Sequence, residues 1–176
     1  VHFFYILIVL VTVTVSCETT QFEQPVISVT VAQYETEAQS LLELVAAARI
    51  KPELRSEYIP TIQYESQRLV RMGASLAEQY VKKDGRCEEY LQAALQLQKK
   101  LGQISLRELE KDYHADGRLK SYGGSSVVGC QHVKSLLVHP ATVVALSSLE
   151  STSNSDFDRM SDEITEVISH SHYVTM

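Results

Sequence analysis

The strongest constraint on this chain is a run of apolar positions, Val31, Tyr34, Ala38, Leu41, Val45 and Ala48, spaced three and four apart. A repeat of 3.6 residues places all six on one face, so the segment buries as an α-helix, whereas a strand would scatter them over both faces. Pro52 disfavours helical geometry in the residue before it and ends this helix near Lys51.

A second stripe, Ile59, Ile62, Ser66, Leu69, Gly73, Leu76 and Tyr80, repeats the spacing. Pro60 is expected in its first turn, where a missing N–H costs little, and Asp84-Gly85 closes it. A third helix, from Arg86 to Leu101, carries Tyr90, Ala94, Leu97 and Leu101 on one side and stops at Gly102. Ser105 and Glu108 have the spacing of a capping box, in which each side chain satisfies a free backbone donor, and predict a short helix from Leu106 to about Tyr113. The pattern resumes at Val127 with Cys130, Val133, Leu136 and Leu137. Pro140 then predicts a break at His139 and a second piece from Pro140 to about Leu149, because proline lacks the donor that the helix needs there. Phe157, Met160, Ile164 and Val167 mark a last helix.

Short connections between these segments predict an all-α antiparallel bundle of about five to six helices. The 44% hydrophobic and 22% charged positions are too apolar and too weakly charged for a wholly disordered chain. Sixteen Lys and Arg against 22 Asp and Glu give a net charge of −6, which argues against a nucleic-acid binder. The basic groups Lys82, Lys83, Arg86, Lys99 and Lys100 sit at helix ends, where they complement the helix dipole, and are read as solvated surface.

Residues 3–15, FFYILIVLVTVTV, read as the apolar core of a secretory signal peptide, shorter than the ~20 apolar residues of a membrane span. Cleavage after Cys17 predicts a secreted, extracellular protein with no stable membrane insertion. The expected layout is a signal peptide at 1–17, an extended segment at 18–28 and one helical domain at 29–169. That domain includes a loop at 117–126 and a Ser-rich linker at 147–156, and a flexible tail follows at 170–176. Removal of Cys17 leaves Cys87 and Cys130, which are expected to pair in an oxidising compartment.

Candidate chemistry is sparse. Asp112, His114 and Asp116 alternate before Gly117 and resemble the first half of an EF-hand calcium loop, which makes them candidate metal ligands. The position for the bidentate glutamate holds Gly123, however, and a capped helix end followed by a turn explains the same residues, so no metal is expected. His132 and His139 lie seven apart and could share a helix face, but Pro140 is expected to spoil that geometry. His170 and His172 fall in the tail. Cys130 and His132, two apart on a helix, point in different directions.

No G-x-S-x-G, Walker A, H-E-x-x-H or G-x-G-x-x-G pattern occurs. The sequence alone therefore reads as a secreted interaction module without enzyme activity, catalytic residues or cofactor, acting on an unknown extracellular protein. Its alternative reading is a carrier of a small apolar ligand in a helical-bundle pocket.

Overall fold

The computed structural model describes residues 29–174. The signal segment 1–17 and the extended segment 18–28 lie outside the described residues. Six α-helices are arranged in chain order: α1 (Val31–Ile50), α2 (Arg55–Lys83), α3 (Glu88–Leu95), α4 (Leu106–Glu108), α5 (Val128–Ser147) and α6 (Asn154–Ser171). They form an all-α bundle around one hydrophobic core. None of the described helices is long and apolar enough to cross a membrane.

The three strongest stripes are buried as the spacing requires. Tyr34, Ala38, Leu41, Val45 and Ala48 of α1 are buried, as are Ile62, Ser66, Leu69, Gly73 and Leu76 of α2 and Phe157, Met160, Ile164 and Val167 of α6. Thr30 opens α1 with a reciprocal cap: its Oγ1 accepts from the Gln33 N–H at 3.1 Å, and the Gln33 side chain accepts from the Thr30 N–H at 2.9 Å. At Ser105 only half of the expected box forms. The serine Oγ accepts from the Glu108 N–H at 3.2 Å, while the Glu108 carboxylate turns to Lys100 at 3.1 Å.

Two expectations about proline need correction. Helix α2 starts at Arg55, so Pro60 is its sixth residue and lies beyond the first turn. The start is early because a 3-10 turn over Pro52–Leu54 leads directly into α2. The Arg55 guanidinium then takes up the free carbonyls of Ala48 and Arg49 at the end of α1, at 3.3 and 3.4 Å.

Helix α5, for its part, runs unbroken from Val128 to Ser147 through Pro140. Pro140 leaves the Leu136 carbonyl without its helical donor, and the hydroxyl of buried Tyr34 supplies one from α1 at 2.7 Å. Gly73 makes room at the same place, since a Cβ there would lie 2.4 Å from the Leu136 oxygen. Every residue of α5 from Val133 to Val144 is buried, which makes it the central helix, packed mainly on α2 and α6. Tyr34→Phe should therefore cost about 1–3 kcal/mol, the usual penalty for a buried acceptor left without a donor. Urea denaturation checks this, and an unchanged midpoint would show that another donor reaches Leu136.

Cys87 and Cys130 form the expected disulfide, with Cα atoms 5.4 Å apart and both residues fully buried. The bridge ties the turn before α3 to the first turn of α5 and closes the loop that carries α4. Helix α6 extends to Ser171, two residues into the segment expected as a tail, and Val174 beyond it is buried.

A candidate metal centre of two histidines and a glutamate

Helix α4 continues as a π-helix over Leu109–His114. Its wider turn is a feature that often accompanies functional sites, and here it delivers His114 at its end. The buried Lys134 of α5 holds that end in place, donating to the Tyr113 carbonyl at 2.8 Å, the His114 carbonyl at 3.4 Å and the Asp116 carboxylate at 3.0 Å. All three ammonium protons are thereby used. Asp116 also accepts from the Tyr90 hydroxyl at 2.9 Å.

His114 faces His139 of α5, ring edge toward ring face, with centroids 4.9 Å apart. Glu163 of α6 reaches both. Its Oε2 lies 2.8 Å from His139 Nδ1 and 3.6 Å from His114 Nε2. Among the described residues this is the one group of three potential metal ligands whose donor atoms all lie within 4.8 Å of one another. Thr142 donates to the Val138 carbonyl at 3.1 Å, and its hydroxyl oxygen lies 3.0 Å from His114 Nε2. The group borders a cleft of about 350 Å3 lined by Lys134, Gln131, Glu166, His170 and other polar side chains.

Burial sets the protonation of the group. It pushes His139 down to about 4, with the Lys134 charge acting in the same direction, and it lowers His114 as well. His170, stacked on His139, is also held at about 4, mainly by burial. The same loss of solvent raises Glu163 to about 7, with the repulsion of nearby Glu110 adding to it. Two neutral imidazoles beside a carboxylate that ionises near neutrality are in the state that a divalent cation would capture.

The signs of the resulting pH dependence oppose each other. The folded state binds protons at the three histidines less readily than the unfolded chain, so stability is lost as pH falls from about 6.5 toward 4. At Glu163 the folded state holds its proton more tightly, so ionisation costs stability as pH rises from about 4.5 through 7. Glu163→Gln should thus stabilise the metal-free protein at pH 8 by on the order of 1–3 kcal/mol, and by much less at pH 5. Denaturant midpoints at the two pH values check this; equal shifts at both would mean that the carboxylate carries no such cost.

The structure redistributes the residues singled out from the sequence. Asp112 pairs with Arg118 at 3.3 Å and Asp116 with Lys134, so the calcium-loop pattern does not assemble, while His114 joins a different set altogether. His132 and His139, expected to be separated by a break at Pro140, lie on one continuous helix and both contact His170. Cys130 is bridged and has no thiol to offer His132.

The cluster overturns the expectation of a purely non-catalytic interaction module and the expectation that the protein is not an enzyme. The cleft beside it is walled by imidazoles and charged groups, so it is not the apolar pocket of the carrier reading. Residues 114, 139 and 163 come from three elements and leave no local spacing for a motif search to detect. The only partial signals were the histidine count and Glu163, a carboxylate one residue before Ile164 of the apolar stripe on α6. The chain matches no protein-family model, no curated protein and no solved structure.

Proposed function

We propose that His114, His139 and Glu163 bind one zinc ion and form the centre of a secreted, zinc-dependent hydrolase for small polar substrates. The observation that carries this reading is the convergence of two imidazole nitrogens and one carboxylate oxygen, from the π-helix, α5 and α6, at the edge of a polar cleft. Zinc bonds of about 2.0–2.2 Å in tetrahedral geometry place donor atoms about 3.3–3.5 Å apart. The observed 2.8 and 3.6 Å bracket that spacing. Three protein ligands leave a fourth position for water or substrate, as catalytic rather than structural zinc requires. Iron(II) accepts the same donors, but an oxidising compartment does not sustain it. The buried Cys87–Cys130 bridge and the apolar run at residues 3–15 support such a compartment.

Zinc held there supplies an acidified water and polarisation of a carbonyl or phosphoryl oxygen. The chain's own groups do the positioning. Lys134 fixes the end of the π-helix, and Arg159, 3.8 Å from Glu163 Oε1, favours the ionised carboxylate.

Chelator-stripped protein should bind zinc, and Glu163→Gln or His139→Asn should weaken binding by on the order of 100-fold or more, at least the cost of losing a supporting contact. Equilibrium dialysis with zinc sulfate measures this, and hydrolysis of p-nitrophenyl acetate should appear on zinc loading and vanish in the same variants. Equal zinc affinity in wild type and Glu163→Gln would overturn the site.

A further inference from the structure

Of the buried serine and threonine hydroxyls on the helices, Ser66 donates to the Ile62 carbonyl, Thr142 to Val138, Ser147 to Val144 and Ser171 to Ile168, each closing on its own helix. Ser135 of α5 does not. It is 6% exposed, its hydroxyl has no hydrogen-bond partner among the described residues, and it lines the polar cleft one turn before His139. Buried polar groups are almost always paired, so a lone hydroxyl on the wall of a cleft calls for a ligand that supplies the missing bond.

The charges of the cleft fix the sign of that ligand. Lys134 is spent, because its three protons go to two backbone carbonyls and to Asp116. Glu166 of α6, one turn beyond Glu163, lines the same cleft with its side chain 63% exposed, and among the described residues no lysine or arginine pairs with it. Its ion-pair neighbour is His139 Nδ1 at 3.6 Å, on a ring that burial keeps neutral. The side chains of the cleft thus offer a cationic group an uncompensated carboxylate and offer an anionic group no free cation. Glu166 is not one of the three residues whose donor atoms all lie within 4.8 Å of one another, so it stands beside the candidate zinc site and not in it. A substrate carbonyl held at that site lies within a few ångströms of the Glu166 carboxylate. An ammonium group one carbon away from the carbonyl spans that gap, whereas one at the end of a long side chain overshoots it. A cleft of about 350 Å3 has room for one such aminoacyl group.

We propose that Glu166 seats the free α-ammonium group of the substrate and that the Ser135 hydroxyl bonds a polar atom of the same group, so that the substrates are aminoacyl esters or amides with an unblocked amino group. The ammonium seat stands on the cleft alone; the reaction rests on the zinc-hydrolase reading above. Hydrolysis then consumes one water, breaks the acyl C–O or C–N bond, and releases the amino acid with an alcohol or an amine.

The metal-free full chain is titrated by NMR with L-alaninamide and with N-acetyl-L-alaninamide, which lacks the ammonium charge. Wild type should bind alaninamide at least about tenfold more tightly than the acetylated form, the worth of one hydrogen bond to a charged group. Glu166→Gln should erase that preference while binding zinc as wild type does, and Ser135→Ala should weaken alaninamide by about threefold or more. After zinc loading, wild type should cleave L-alanine p-nitroanilide faster than its N-acetyl form, and Glu166→Gln should bring the ratio near one. Circular dichroism checks that each variant is helical. Equal binding of the two amides by wild type, or an undiminished preference in Glu166→Gln, would overturn the ammonium seat and leave the zinc site standing wherever zinc still binds. A loss of zinc affinity in Glu166→Gln as large as in Glu163→Gln would make Glu166 a metal ligand and overturn the seat as well. Unchanged alaninamide affinity in Ser135→Ala would overturn the part given to Ser135. A preference for alaninamide that Glu166→Gln abolishes, in a chain that binds no zinc, would overturn the hydrolase and support the seat.

Discussion

Replacing Cys87 and Cys130 together by alanine should destabilise the protein by about 4 kcal/mol. The bridge closes a loop of about 44 residues, and the chain-entropy model assigns that closure about this much. For a chain of this size each kcal/mol moves the thermal midpoint by about 2–4 °C, so a fall of roughly 10 °C is expected. The effect reaches the candidate metal centre. The π-helix that carries His114 lies inside the closed loop, and His139 lies nine residues beyond Cys130 on α5. Without the bridge, the distance from His114 to the α5 and α6 ligands rests on Lys134, on the Glu110–Arg159 ion pair and on packing, so zinc affinity should fall together with stability. Calorimetry and equilibrium dialysis on the alanine pair measure both. An unchanged midpoint would mean that the unfolded chain already keeps this loop closed.

Leu69→Ala should cost about 2–5 kcal/mol, the range for removing a buried leucine and leaving part of its cavity. Leu69 is 1% exposed on the α2 stripe, and α2 packs most extensively on the central helix α5, so little surrounding structure is free to collapse into the gap. Leu41, also 1% exposed on α1, should behave alike. Thr61→Ala, on the exposed side of α2, should change stability by under about 0.5 kcal/mol. Gln67 is half-buried and makes a poorer control. Chemical denaturation of the three variants compares them; near-equal midpoints would mean that the α1 and α2 stripes do not share the core.

Apart from the cysteine pairing, the features read correctly from the sequence are encoded within a few residues. The stripes of α1, α2 and α6 follow from a 3.6-residue repeat, and the Ser105 cap from a hydroxyl three residues before an N–H in need of an acceptor. The cysteine pairing needed only arithmetic, because one partner remained once Cys17 was assigned to the signal segment. Tertiary structure decided the rest. Pro140 stays helical because Tyr34, 102 residues away from Leu136, donates to the carbonyl that the proline leaves free. Local rules predict a break there, and a hydroxyl reaching from α1 to the α5 carbonyl compensates it.

The candidate metal centre shows the same division more sharply. Nothing near His114 in the sequence indicates His139 or Glu163. The three meet because the π-helix turns His114 inward and because the buried faces of α5 and α6 place His139 opposite Glu163. Periodicity and capping are properties of one segment and its own hydrogen bonds, and the sequence determined these by itself. Which side chains converge from different segments depends on how the buried faces pack against one another, and that was settled only in the folded bundle.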